Sequence, residues 1–273
     1  MDKRVVLLTR GELRHEFFRK YLASRSGIEV QATFCESNKG NIDEVVKKDL
    51  QENNLRTLHL SARAATEEDF FKLFNDHQED FSNPIFIEKG EINDAHHVQS
   101  IIQMNPDLII SYGCSIIKSR LLSVFRGRFI NIHLGLSPYY RGSGTNFWPF
   151  VNDELQFVGT TFMYIDEGID TGEIIHQIRA KILYKDNIHQ IGNRLIRDSF
   201  FECVKLIRVF GQLEHINPPT MDSKDVRYYR KKDFTEGALI KAYKNVAEGI
   251  VEKYLENKLR VDKNFPIIKN PII

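Results

Sequence analysis

Short apolar runs that alternate with helix-length amphipathic stretches constrain this chain more than any other feature. Residues 5–9 (VVLLT), 29–34, 84–88, 107–111 and 128–133 have the length and apolar content of strands. Residues 13–24, 93–104 and 116–125 carry helical spacing, and residues 40–80 are charged and mostly helical in pattern. Strands that alternate with helices from the first residues pair in parallel, which gives an α/β sheet. The pair Asn93-Asp94 supplies a cap, and Asn105-Pro106 a stop, because the residue before proline is steered away from the α region.

The second half changes pattern. A helix is expected over 144–152, and segments 157–165 and 173–182 bracket a glycine-containing loop and pair as antiparallel strands. Residues 188–210 form a long amphipathic helix, with Ile188, Ile191, Leu195, Val204 and Ile207 near helical spacing. Asn217-Pro218-Pro219 marks a boundary. Beyond it lie a short strand, 226–230, and one helix, 234–255, with Leu239, Tyr243, Val246, Ile250 and Tyr254 along one face. The expected plan is an α/β core over residues 1–215 and a small C-terminal strand-helix appendage over 216–273. The apolar face of that last helix serves either burial on the core or a homodimer contact.

Composition narrows the function. With 42% hydrophobic and 27% charged residues the chain affords a sizeable core. A formal net charge of +1 lacks the basic excess that phosphate contacts reward, so a small-molecule partner is expected rather than nucleic acid. Cys35, Cys114 and Cys203 lie far apart without C-x-x-C spacing, which favours reduced, buried thiols over a disulfide framework or zinc site. Scattered histidines, including the His96-His97 pair, give no metal-ligand pattern, and no metal is expected. The apolar run at 5–8 is too short for a signal segment, and no stretch offers the ~18 apolar residues of a membrane span. A soluble, cytoplasmic protein without a membrane partner is expected.

Chemistry concentrates in FINIH, residues 129–133. Alternate side chains on a strand share a face, so Asn131 and His133 project together while Ile130 and Ile132 project to the other side. They sit at the C-terminal end of a parallel strand, where open α/β sheets bind ligands. Alone, such a strand is indistinguishable from a half-exposed one. A second segment, Ile165-Asp166-Glu167-Gly168-Ile169-Asp170-Thr171-Gly172-Glu173, has two glycines that allow a tight loop and sets Asp170 to enter a pocket; alone, it reads as a hairpin.

Together these segments resemble the folate-dependent formyltransferase family, which includes glycinamide ribonucleotide, methionyl-tRNA and sugar N-formyltransferases. The resemblance runs from the Asn-x-His element to Asp-Thr-Gly and more loosely over residues 84–230. It implies a Rossmann-like parallel-sheet core and N10-formyltetrahydrofolate as donor, with Asn131, His133 and Asp170 as the catalytic triad. It also implies a pterin pocket shaped by Tyr112, Gly113, Ile116 and Ile117 together with Asp166, Glu167, Gly168 and Ile169. The chain departs from the family at Leu134-Gly135-Leu136-Ser137-Pro138, where a Ser or Ala-Ser step and Leu-Pro are common.

For the acceptor, three amines compete. Residues 216–273 are mainly helical in pattern, unlike the C-terminal β-barrel of methionyl-tRNA enzymes. Thr9-Arg10-Gly11-Glu12 makes a poor phosphate cradle for glycinamide ribonucleotide. The segment Asp225-Val226-Arg227-Tyr228-Tyr229-Arg230 resembles the aromatic-basic strand of sugar N-formyltransferases. A nucleotide-linked amino sugar, used in surface glycans, is therefore the expected acceptor. Tyr228 or Tyr229 would pack on it and Arg230 would meet its pyrophosphate, with Arg141, Asn146 and Trp148 as further acceptor-side candidates. Hydrolysis of the donor, a deformylase reaction, is the alternative in which water replaces the amine.

Overall fold

The computed structural model describes residues 2–37, 54–168, 170–216 and 226–273. Strands β1 (Lys3–Arg10), β2 (Ile28–Glu36), β3 (Pro84–Ile87), β4 (Leu108–Ser111) and β5 (Phe129–His133) pair in parallel, as the alternation predicts. A three-residue strand, β6 (Tyr140–Gly142), then leaves the sheet, and β7 (Gly159–Tyr164) and β8 (Ile174–Arg179) return antiparallel. The sheet order is β3-β2-β1-β4-β5-β7-β8, a Rossmann-like α/β arrangement. Strand β6 pairs instead with β9 (Arg227–Tyr229), in parallel, to form a separate two-stranded sheet.

Apolar contacts fix which way each strand faces. Val5, Leu7, Ile110, Ile130 and Ile132 form one buried cluster with Phe17, Phe18 and Leu22 of α1 (Leu13–Ala23). On the other face, Val6, Leu8, Ile109 and Phe129 form a second cluster. Because side chains alternate, Asn131 and His133 share the face of Phe129 and leave the Ile130/Ile132 face to the core.

Helix α2 (Leu55–Glu67) continues through a π-helical turn (Glu68–Lys72) and a last helical turn (Leu73–His77). Residues 40–53 of the charged stretch, and the Asn217-Pro218-Pro219 boundary, lie outside the described residues. Helix α3 (Ala95–Met104) has Asp94 at its N-cap position without a side-chain cap bond, and it stops at Asn105, which takes the left-handed conformation before Pro106. Helices α4 (Ser119–Val124) and α5 (Trp148–Asn152) are shorter than the expected 116–125 and 144–152.

Helix α6 (Ile188–Arg208) opens on a capping box. The Asn187 side chain accepts from the backbone N–H of His189 and Gln190, and Gln190 accepts from the Asn187 N–H. Such an arrangement stabilises a helix start by about 1 kcal/mol. Its Phe200, Val204 and Ile207 join the α1 cluster, whereas Ile191 and Leu195 join another.

That other cluster brings the C-terminal segment onto the molecule. The single helix expected over 234–255 is in fact two, α7 (Glu236–Ala247) and α8 (Ile250–Asn264). Gly249 separates them at φ 81°, a conformation that glycine adopts without penalty. Ala242, Ile250, Val251 and Tyr254 pack with Tyr140, Trp148, Phe150, Leu155, Phe157, Ile191 and Leu195. Past α8, the backbone of Ile268 exchanges hydrogen bonds with Gln177, and Asn270 donates from its backbone N–H to His176 and from its side chain to the Ile175 carbonyl. No helix among the described residues is long and apolar enough to cross a membrane.

Candidate active site

The C-terminal end of β5 carries the two polar side chains the sequence singles out. Asn131 stands in register with Ser111 of β4, and the Ser111 hydroxyl donates to Asn131 Oδ1 at 3.0 Å. The carbonyl end of the amide is thereby occupied. Its Nδ2 has no hydrogen-bond partner among the described residues, so both N–H bonds are available to a ligand.

His133 is 7% exposed and lies against Asp170, which is 12% exposed, with Nδ1 and Oδ1 3.2 Å apart. Its other nitrogen, Nε2, is 3.1 Å from the Tyr140 carbonyl oxygen. Both ring nitrogens therefore face acceptors, and only the imidazolium donates to both at once. Asp170 Oδ2 accepts from the Gly142 N–H at 2.9 Å. Strand β6 thus holds both partners through its backbone, His133 by the Tyr140 carbonyl and Asp170 by the Gly142 amide.

The loop that delivers Asp170 is braced from within. Asp166 accepts from the Gly168 N–H at 2.9 Å and from the Thr171 hydroxyl at 2.7 Å. Asp170 itself has φ 54°, a region that Asp tolerates better than most residues. At Gly172, a Cβ would run into the Tyr164 carbonyl, so the loop closes only with glycine there. Glu167 is exposed, and Ile169 lies outside the described residues.

The segment after β4 divides its residues. Tyr112 is buried, packed with His15, Phe18 and Phe200, so its side chain belongs to the core and only its backbone edges the crevice. Burial, the main cause, holds the His15 imidazole well below its ordinary pKa. Gly113 has φ 71°, and a Cβ on it would lie 2.7 Å from His15 Cε1. Ile117 is buried, whereas Ile116 is 77% exposed. The exposed Ile116 side chain offers an apolar surface to a flat heteroaromatic ring, and in that respect the residues present fit a folate.

The acceptor-side candidates separate more sharply. Trp148 and Tyr229 stack on each other, ring centroids 4.0 Å apart at 8°, and the Trp148 N–H donates to the Ser143 carbonyl. Tyr229 OH accepts from Asn152. Expected as acceptor contacts, these two instead build the hydrophobic cluster beneath β6 and β9, because a stacked aromatic pair gains more from burial than from exposure. Asn146 accepts from the Gly159 N–H at 3.1 Å and so ties the segment before α5 to β7. Tyr228 and Arg230 are exposed, with the guanidinium carbon 5.6 Å from the ring centroid, and Arg141 is partly buried on β6. Two contributors lay outside the sequence reading: Ser111 and the backbone of β6. Ser111 could have been found from its place at the end of β4, but a backbone contact leaves no trace in residue types.

Among the described residues there is no cluster of His, Cys, Asp and Glu that would hold a metal ion. A donor amide on the same strand face as a histidine–carboxylate pair suits acyl transfer. The Formyl transferase model matches residues 21–200, more than half of the chain, and the chain belongs to that family. Its members take the formyl group from N10-formyltetrahydrofolate.

Among similar proteins is the methionyl-tRNA formyltransferase of Thermodesulfovibrio yellowstonii, 32% identical over 107 residues, or 38% of this chain and 34% of that protein. The chain thus matches about a third of that relative's length. In fold it is similar to a sugar N-formyltransferase from a Shewanella species, with a TM-score of 0.57, 16% identity and coverage of 88% and 87% of the two chains. It is also similar to the phosphoribosylglycinamide formyltransferase of Streptococcus pneumoniae, with a TM-score of 0.51, 19% identity and coverage of 77% and 99%.

Proposed function

We propose that this protein is an N10-formyltetrahydrofolate-dependent N-formyltransferase acting on a small primary amine, with Asn131, His133 and Asp170 as its catalytic residues. The carrying observation is the convergence of an unpartnered amide donor and a His–Asp pair at the end of one parallel strand. N10-formyltetrahydrofolate supplies an electrophilic formyl carbon and departs as tetrahydrofolate. The new amide C–N bond forms as the bond to N10 breaks, and the proton lost by the amine ends on N10.

Each residue then has a defined task. Asn131 donates an N–H to the formyl oxygen as charge builds there, a contact worth about 3 kcal/mol when preorganised. His133 is held between Asp170 and the Tyr140 carbonyl on the strand face it shares with Asn131. With Nε2 turned from the carbonyl and free of a proton, His133 takes the proton of the attacking amine and passes it to the departing N10. Asp170 keeps Nδ1 protonated and the ring in place. On the donor side, Ile116 and Gly113 with Asp166, Glu167 and Gly168 would frame the pterin.

A nucleotide-linked amino sugar is the acceptor we favour, and the protein would work in the cytoplasm on a precursor of surface glycans. Support comes from Tyr228, whose ring edge lies 3.1 Å from the position a Cβ would take at Gly142, one hydrogen bond from Asp170. Its exposed face and Arg230 offer stacking and a diphosphate contact within reach of the reacting groups. Similarity to methionyl-tRNA formyltransferases supports a second reading, with methionyl-tRNA as acceptor. Direct competition decides. With both acceptors offered, sugar formylation that rises in KM on Tyr228→Ala or Arg230→Ala, at unchanged folate affinity, is expected. Formylation of methionyl-tRNA alone would overturn the sugar.

A further inference from the structure

We infer that Ser111 is a positioning residue for formyl transfer, setting which end of the Asn131 amide faces the reacting carbonyl. The inference rests on Asn131 being the oxyanion donor. Ser111 is 1% exposed and stands opposite Asn131 in the β4–β5 register. Its hydroxyl lies 3.0 Å from Asn131 Oδ1 and 3.4 Å from the Ile130 carbonyl oxygen. Donating to Oδ1 makes the shorter bond and leaves Nδ2 without a partner among the described residues. If the amide turned over, Nδ2 would donate to Ser111 and the hydroxyl would turn to the longer Ile130 contact or to the Cys114 sulfur beside it. An oxygen would then face the developing negative charge, which repels it. The hydroxyl is therefore a polarity lock on a side chain whose two ends have nearly the same shape.

The lock acts through Asn131 without touching either substrate, so its loss affects rate rather than binding. The test is a double-mutant cycle on the full chain, with N10-formyltetrahydrofolate as donor and hydroxylamine as a surrogate amine that needs no recognition. Ser111→Ala is expected to lower kcat about 10-fold with unchanged folate affinity, because a misplaced donor costs rate rather than fold. Ser111→Thr, which keeps the hydroxyl, should restore most of it. Adding Ser111→Ala to Asn131→Ala should cost nothing more. If Ser111→Ala matches wild type while Asn131→Ala is impaired, or if the two losses multiply, the positioning role is wrong. If Asn131→Ala itself keeps full turnover, the oxyanion reading falls and this inference with it.

Discussion

At the scale of single residues, the site depends on three side chains and on the space kept for one of them. Alanine at His133 or Asp170 should lower turnover at least about 100-fold, as loss of a proton-transfer group or its partner does. Near-normal rates in a folded His133→Ala variant would contradict that role. Gly135 gives an independent check. A Cβ there would lie 2.6 Å from His133 Nε2 and 2.7 Å from Thr145 Cβ, so glycine keeps open the space that the imidazole fills. Gly135→Ala should displace the ring from the Tyr140 carbonyl and lower kcat about 10-fold without unfolding the chain. Unchanged kinetics would show that the ring has other room.

Among elements, buried histidines set the acid limit of the fold, and His59, His176 and His189 join His15 in this. His59 of α2 packs 4.7 Å from His189 at the start of α6, and Tyr243 of α7 bonds His59 at 3.0 Å. Burial, and secondarily the nearby His189, pushes His59 down to about 3, while burial pushes His189 down to about 4. His176 of β8 is also pushed down to about 4 by burial, with Lys269 adding to it. Unfolded imidazoles titrate near 6.5, so between about 4 and 6.5 the unfolded chain binds more protons than the native one. Stability is therefore full above about pH 6.5 and declines as pH falls toward 4. Thermal denaturation at about pH 7 and pH 5 should show a lower Tm at the acid value, and a smaller drop in His59→Gln. A pH-independent Tm would contradict this.

What was legible in the sequence follows from the range of each interaction. Alternation of FINIH placed Asn131 and His133 on one face, and that depends only on strand geometry. The division of 234–255 into two helices turned on Gly249, a single residue inside an otherwise continuous apolar face. Trp148 was read as an acceptor contact because it follows the catalytic strand closely, and Tyr229 because its segment resembles the aromatic-basic strand of sugar N-formyltransferases. Their mutual stacking joins segments far apart in the chain, which no local pattern encodes. The β6–β9 pairing was hidden for the same reason, since three residues are too few to show a period.

On the scale of the whole molecule, we propose residue 215 as the end of the catalytic core in chain order. Residues beyond it supply Ala242, Ile250, Val251 and Tyr254 to a cluster shared with β6, α5 and α6. They also supply β9, the partner of β6 in its two-stranded sheet among the described residues. Deleting 216–273 would expose that cluster and release the strand that holds His133 and Asp170. The truncated chain should be insoluble or inactive, and a soluble fragment with full formyl transfer would show that the segment is dispensable.

The central claim is that formyl transfer to a primary amine passes through Asn131, His133 and Asp170. Its most direct test follows tetrahydrofolate release from N10-formyltetrahydrofolate by wild type and His133→Ala, with a panel of nucleotide-linked amino sugars, methionyl-tRNA, glycinamide ribonucleotide, or no amine. Release is expected to require one amino sugar, to match the formamide formed, and to collapse in the variant. Release that proceeds equally without any amine would make the protein a hydrolase of its donor and contradict the account.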